Sequence, residues 1–251
     1  MLRAESLSKS FGDLRAVAQV TLSLTPGAVT GLIGPNGAGK TTLFNLLAGT
    51  LRPDEGRIWH DGGRIDHLAS HRRFRRGIAR TFQIPRPFPD MSVLENLLLV
   101  PEGQSGERFW NNWRPGAAIA RQESANAARA RGILEFTALG GMAGAPARTL
   151  SGGQRKLLEL ARVLMAEPKI ILLDEPCAGV NPVLIGVLEE KILTLNRRGM
   201  TFLIIEHNME FVMRLCQPIF VMAQGRLIAG GDAASIRSDP RVVEAYLGTA
   251  P

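Results

Sequence analysis

Gly34-Pro35-Asn36-Gly37-Ala38-Gly39-Lys40-Thr41-Thr42 decides the reading of this chain, because its first eight residues fit the phosphate-binding pattern G-x-x-x-x-G-K-[ST]. Glycines at 34, 37 and 39 let the backbone turn so that several N–H groups converge on one point. The dipole of a following helix and the charge of Lys40 add positive potential there, and Thr41 offers a hydroxyl to Mg2+. The flanks agree with that geometry. Upstream, Val29-Thr30-Gly31-Leu32-Ile33 reads as a buried strand, and downstream Thr42 to Ala48 carries apolar residues at helical spacing with Gly49 as the stop. A glycine-rich surface turn explains neither flank, so a nucleoside triphosphate is the expected ligand.

A second half-site is expected from Lys169-Ile170-Ile171-Leu172-Leu173-Asp174-Glu175-Pro176, an apolar run that ends in two carboxylates and a proline. Such a run is a buried parallel strand, and ligands of open α/β sheets gather at the carboxyl ends of such strands. Asp174 is suited to hold Mg2+, usually through water, and Glu175 to take a proton from the water that attacks the terminal phosphate. Thr201-Phe202-Leu203-Ile204-Ile205 reads as a neighbouring strand ending in Glu206 and His207, which makes His207 a candidate donor to the γ-phosphate or the attacking water. In Leu150-Ser151-Gly152-Gly153-Gln154, Ser151 is placed to cap the helix that follows, and the two glycines leave backbone N–H groups bare at its positive end.

With 251 residues, 45% of them hydrophobic and 21% charged, the chain has material for one sizeable core or two smaller lobes. No apolar run approaches the eighteen or so residues that cross a bilayer, and the start lacks the apolar stretch of a secretory signal, so a cytosolic chain is expected unless a partner tethers it. Cys177 and Cys216 show no metal-ligand spacing and read as small buried residues in a reducing compartment. The net charge of +7 is compatible with nucleic acid, an anionic membrane face or an arginine-rich proteome, and does not choose among them. The basic stretch from His67 through His71, Arg72, Arg73, Arg75 and Arg76 to Arg80 reads as a solvated helix face, since a single Phe74 among the cations is not the aromatic interleaving of a single-strand binder. His60, His67 and His71 read as surface residues.

Five motifs in this order resemble the ATP-binding subunit of an ABC transporter: GPNGAGKTT at 34 to 42, Gln83 in Arg80-Thr81-Phe82-Gln83, LSGGQ at 150 to 154, ILLDEP at 171 to 176 and IIEHN at 204 to 208. The resemblance spans nearly the whole chain. It implies an α/β fold, a P-loop NTPase core of ABC ATPase type with an antiparallel β subdomain and an inserted α-helical subdomain. Residues 1–251 then form one ABC ATPase domain, its core and β subdomain drawn from 1–85 and 166–251 and its helical subdomain from 86–165. Within the last, Ser92-Val93-Leu94-Glu95 reads as a capping box; near the end, Asp239 reads as a cap and Pro240 as a first helical residue.

The resemblance also implies roles. Phe11 falls where the family places a ring that stacks on adenine, and the loop from Gly34 through Pro35, Asn36, Gly37, Ala38, Gly39, Lys40 and Thr41 to Thr42 binds the phosphates. Gln83 matches the residue that reaches Mg2+ and senses the transmembrane partner, Glu175 the general base, and His207 the switch histidine. Ser151, Gly152, Gly153 and Gln154 act on ATP held by a second ATP-binding subunit, the same chain or a paralogue. The further partners are two transmembrane permease subunits and, indirectly, a periplasmic solute-binding protein, at the cytoplasmic face of the cell membrane; nucleic acid is not expected. Ile84-Pro85-Arg86-Pro87-Phe88-Pro89, stiffened by prolines, is expected near a groove for a permease helix and equally fits a rigid link between lobes. Trp110, Trp113 and Arg114 fit either the core of a helical lobe, the commoner place for aromatic residues, or a partner or membrane-edge contact.

The Thr-Phe-Gln setting of Gln83, the long insert before LSGGQ and the ending from Gly225 to Gly248 are similar to subunits of branched-chain or hydrophobic amino acid importers. Importers of urea, amides and aromatic acids are similar too, and the nucleotide site never touches the cargo. Where many superfamily members have an aspartate after Glu175-Pro176, this chain has Ala178-Gly179-Val180-Asn181, as that importer group does. An exporter subunit shares every catalytic residue. A soluble ATPase of this type acting on nucleic acid has only the positive charge in its favour, and lacks here the second motif set or coiled coil common in such proteins.

Overall fold

Ile170–Asp174 is a strand buried at every position, and so are Val29–Ile33 and Thr201–Ile205, as expected of apolar runs with no polar alternation. The computed structural model describes residues 1–81, 87–101, 103 and 116–247. Numbered along the chain, the strands are β1 (Leu2–Phe11), β2 (Leu14–Leu24), β3 (Val29–Ile33), β4 (Glu55–His60), β5 (Gly63–Arg64), β6 (Ile78–Arg80), β7 (Ile170–Asp174), β8 (Thr201–Ile205), β9 (Ile219–Ala223) and β10 (Arg226–Gly231). The helices are α1 (Lys40–Ala48), α2 (Ser70–Phe74), α3 (Val93–Leu98), α4 (Ala117–Phe136), α5 (Gly152–Leu164), α6 (Pro182–Arg197), α7 (Met209–Leu215), α8 (Ala233–Ser238) and α9 (Pro240–Leu247).

The chain divides into two units. The first, Met1–Gln83 with Pro168–Ala178 and Ile192–Pro251, holds both sheets. One is antiparallel, in the order β2-β1-β4-β5, and the other runs β10-β9-β3-β8-β7-β6, parallel except for the β9–β10 edge. Apolar residues of β1, β2, β3, β7 and β8 share one buried cluster with Leu43, Phe44, Leu46 and Leu47 of α1. Gly31 admits Val212 and Cys216 from the other side, since a Cβ there would lie 3.1 and 3.0 Å from them. The second unit, Ile84–Glu167 with Gly179–Lys191, carries α3, α4 and α5. Both expected caps form: Ser92 and Glu95 make a full capping box at α3, and the Asp239 carboxylate accepts the Arg241 N–H beside Pro240.

The basic stretch is not a solvated face throughout. Arg73 of α2 is 0% exposed. Its Nη1 donates to the Leu46 and Leu47 carbonyls at 2.6 and 2.8 Å, its Nε to Leu68 O at 3.0 Å and its Nη2 to Asp66 O at 3.2 Å. Leu46 and Leu47 belong to the last turn of α1, whose carbonyls have no partner inside the helix, so the guanidinium finishes that helix. Burial pushes the Arg73 pKa down to about 10, against the pull of Asp66. His60 also departs from the expectation of a surface residue. The alternation of β4 turns it inward with Ile58, and its Nε2–H donates to Arg76 O at 3.1 Å. Both cysteines are buried, as expected, and burial pushes the Cys216 thiol up to about 12.

Arg73→Met should lower stability by about 3 kcal/mol, because several carbonyls lose a charged donor at once. Arg72→Met, at an exposed neighbour, should stay within about 0.5 kcal/mol of the parent. Chemical denaturation of the two variants checks the difference.

Candidate functional site

Parallel pairing brings the chemistry to one edge. Asp174 pairs with Ile205, and Leu32 pairs with Ile205 on the other side of β8, so β3, β7 and β8 all end at the same level. The loop from Gly34 to Gly39, the carboxylates of Asp174 and Glu175, and His207 therefore leave the sheet together. In the loop, Gly34 and Gly39 have φ of +149° and +94°, and a Cβ on either would lie 2.1 Å from a backbone oxygen, of Met222 or Ala16. Gly37, at φ +77°, has open space around it. Helix α1 starts on Gly39 with no side-chain cap, which leaves its first N–H groups to a ligand.

Lys40 is buried, and its Nζ donates to Gly34 O at 2.8 Å and Pro35 O at 2.9 Å. Burial pushes its pKa below the ordinary lysine range, while the charge of Glu175 pulls it back up. Thr41 is exposed on the first turn of α1. Asp174 is 3% exposed, and its Oδ2 accepts from Arg80 Nη2 at 3.2 Å. Glu175 takes a left-handed backbone, φ +46°, that an L-residue adopts only at a cost, and its N–H donates to Ile205 O at 2.9 Å. Its Oε1 lies 3.3 Å from Nε2 of the half-exposed His207. A carboxylate and an imidazole thus meet at the edge that also carries the buried ammonium.

Glu206, next to His207, carries a role that the sequence did not signal. It is buried, and its carboxylate accepts three backbone N–H groups, from Cys177 at 2.6 Å, His207 at 2.8 Å and Asn208 at 3.0 Å. It ties the turn after Glu175 to the turn that presents His207. Tyr246 of α9 is also at this site, where burial raises its phenol pKa and a backbone N–H of Gly34 pulls it down. Phe11 is half-exposed at the end of β1, with the Lys9 ammonium 5.8 Å from its ring centre.

Ser151 to Gln154 lie in the second unit. Ser151 caps α5 as expected: the Gln154 N–H donates to Ser151 Oγ at 3.3 Å, and the Ser151 N–H donates to Gln154 Oε1 at 2.9 Å. Gly153 serves packing, since a Cβ there would lie 2.5 Å from Leu184 and 3.1 Å from Val180. Gln83 and the rest of 82–86, with Trp110, Trp113 and Arg114, lie outside the described residues. Among the described residues, no helix is long and apolar enough to cross a membrane.

Residues 17–178 match the family model described as ABC transporter, and residues 226–251 match a model described as branched-chain amino acid ATP-binding cassette transporter. The chain is 43% identical over 248 residues to a probable branched-chain amino acid transport ATP-binding protein, LivG, of Archaeoglobus fulgidus, covering 99% of this chain and 95% of that one. It also resembles a crystal structure of a nucleotide-free ATP-binding cassette from an ABC transporter, with 41% identity, a TM-score of 0.86 and 99% of both chains covered. A second cassette, in an ADP conformation, gives 41% identity and a TM-score of 0.85 over 99% of both chains.

The loop geometry separates two glycines that the motif treats alike. Gly37→Ala should cost about 1–2 kcal/mol, the left-handed backbone alone, whereas Gly39→Ala adds an overlap with Ala16 and should cost about 2–5 kcal/mol. Equal losses on urea unfolding would contradict the packing described.

Proposed function

The chain belongs to the ABC transporter family, as an ATP-binding subunit that couples ATP hydrolysis to transport, and we propose that its system imports branched-chain or other hydrophobic amino acids. The convergence of Lys40, Asp174, Glu175 and His207 on one sheet edge carries the hydrolytic part. The match of residues 226–251 and the names of the relatives support the cargo. We read residues 1–251 as one such ATPase domain.

In this reading, the ring of Phe11 stacks on adenine, and the loop from Gly34 to Thr42, with Pro35, Asn36, Gly37, Ala38 and Gly39 turning N–H groups inward, cradles the phosphates. Lys40 brings its charge to the β- and γ-phosphates. The residues fit Mg2+: an exposed Thr41 hydroxyl and a buried Asp174 carboxylate are hard oxygen donors of the kind this ion takes beside phosphate oxygens and water. They would hold it with Gln83, and it would supply neutralising charge at the phosphates. Glu175 accepts the proton of the attacking water, and His207, 3.3 Å away, orients that water or donates to the γ-phosphate.

The second contact to the nucleotide comes from a partner. Ser151, Gly152, Gly153 and Gln154 of one subunit close over ATP on the loop of another, the same chain or a paralogue. ATP then binds the closed pair better than the open one and shifts the population; hydrolysis removes those contacts. Motion passes to two permeases, with a periplasmic solute-binding protein delivering cargo, and the chain sits peripherally at the cytoplasmic membrane face. Nucleic acid is not among the partners.

Glu175→Gln should keep ATP binding, lower turnover at least about a hundredfold and accumulate a dimer on sizing columns. Turnover near the parent rate would remove Glu175 from the role of base. Lys40→Ala should weaken nucleotide affinity itself, at least about tenfold by calorimetry; an unchanged affinity would contradict the cradle. Reconstituted with its permeases, the parent should drive ATP-dependent uptake of leucine or isoleucine; uptake of urea, an amide or an aromatic acid instead would move the cargo to those classes.

A further inference from the structure

Arg80 ends β6, one strand from the acid edge, and groups from three places converge on its guanidinium. Nη2 donates to Asp174 Oδ2 at 3.2 Å, and Nη1 donates to Asn45 Oδ1 at 2.5 Å and Thr50 Oγ1 at 3.3 Å. The guanidinium carbon stands 4.9 Å from the centre of the Phe44 ring. Next in sequence, Thr81 works on the same target, its Oγ1 accepting the backbone N–H of Asp174 at 3.3 Å.

We propose that Arg80 is a positioning residue for Mg2+, fixing one oxygen of Asp174 and tying it to the helix that begins with Lys40 and Thr41. The proposal deepens the assignment of Asp174 to Mg2+ and rests on it. An ion held through water needs its acceptor in one place, and partners one shell out set that place. Asn45 and Phe44 stand on α1, so through Arg80 the carboxylate on β7 and the hydroxyl of Thr41 move as one piece. A planar fork serves two acceptors while stacked on a ring; an ammonium does not, so Arg80→Lys is a partial replacement. Simple charge effects predict the opposite sign, because removing a cation beside the site would strengthen Mg2+ binding.

The test titrates Mg2+ against binding of a fluorescent ATP analogue to the full chain, with a parallel series in EDTA. For Arg80→Met, the Mg2+ midpoint should rise about tenfold while affinity in EDTA stays within about twofold, with Arg80→Lys between it and the parent. An unchanged or lower midpoint overturns the proposal, and so does an equal loss in EDTA, which would make Arg80 a brace for α1. If Arg80→Met does not fold, Asn45→Ala cuts the hydrogen bond that ties Arg80 to α1 and should raise the midpoint about threefold, with less than additive effect in combination with Arg80→Lys; a parental midpoint there overturns it too. Asp174→Asn separates the two levels. A shifted midpoint in that variant with none in Arg80→Met refutes positioning alone, whereas an unshifted one removes the assignment of Asp174 itself.

Discussion

Three strands whose one charged residue is the Asp174 that ends β7 depend for their register on what stands at their ends. Where one face of a sheet meets water, alternation locks the pairing, because a slip of one residue turns the apolar set outward. β3, β7 and β8 are buried throughout, so a slip would still set apolar against apolar. The polar ends supply the missing constraint. Lys169 stands exposed ahead of β7, Asp174 ends it against Arg80, and Glu206 follows β8 with three backbone donors around its carboxylate. Moving either strand by one position would break these contacts and draw a charge among aliphatic side chains, a cost of several kcal/mol. The groups that assemble the site therefore also hold the sheet in register.

This constraint explains what was legible in the sequence. Val29–Ile33 and Thr201–Ile205 are read residue for residue, because each is a short, mainly apolar run bounded by glycine, proline or charged residues that stop a strand. The box at Ser92 and the cap at Ser151 are legible because the partners lie within four residues of chain; the return bond from the Ser151 N–H to Gln154 Oε1 completes a box there that the reading of Ser151 as a cap does not include. Arg73 is not: in a five-residue helix with several basic side chains, nothing local marks which one turns inward, and two of its four acceptors lie on α1, 26 and 27 residues away. Glu206 and Arg80 hide in the same way, because Cys177 lies in the turn after β7, 29 residues from Glu206, and Asn45 and Asp174 lie 35 and 94 residues from Arg80. The left-handed backbone at Glu175 is invisible too, since a glutamate gives none of the warning that a glycine would.

Motif residues also do more than their motif records. The glycines of the phosphate loop are required by backbone direction and close approach, whereas Gly153 is required by the side chains of Leu184 and Val180. Ser151 already works as a cap, but capping uses only a lone pair of its oxygen. Capping does not consume the hydroxyl hydrogen, so it is compatible with the phosphate contact proposed for the same side chain.

Lys40 shows the same division of labour with a charge. Two of its three N–H bonds go to the carbonyls of Gly34 and Pro35, so the ammonium holds the loop that holds it. Burial alone would favour the neutral amine, which would end both the attraction for phosphate and part of the support for the loop. The two carbonyls and the nearby charge of Glu175 oppose that loss. A phosphate that takes the third N–H need not displace either carbonyl. The loop is then shaped before the ligand arrives, and little of the ligand's binding energy goes into ordering it.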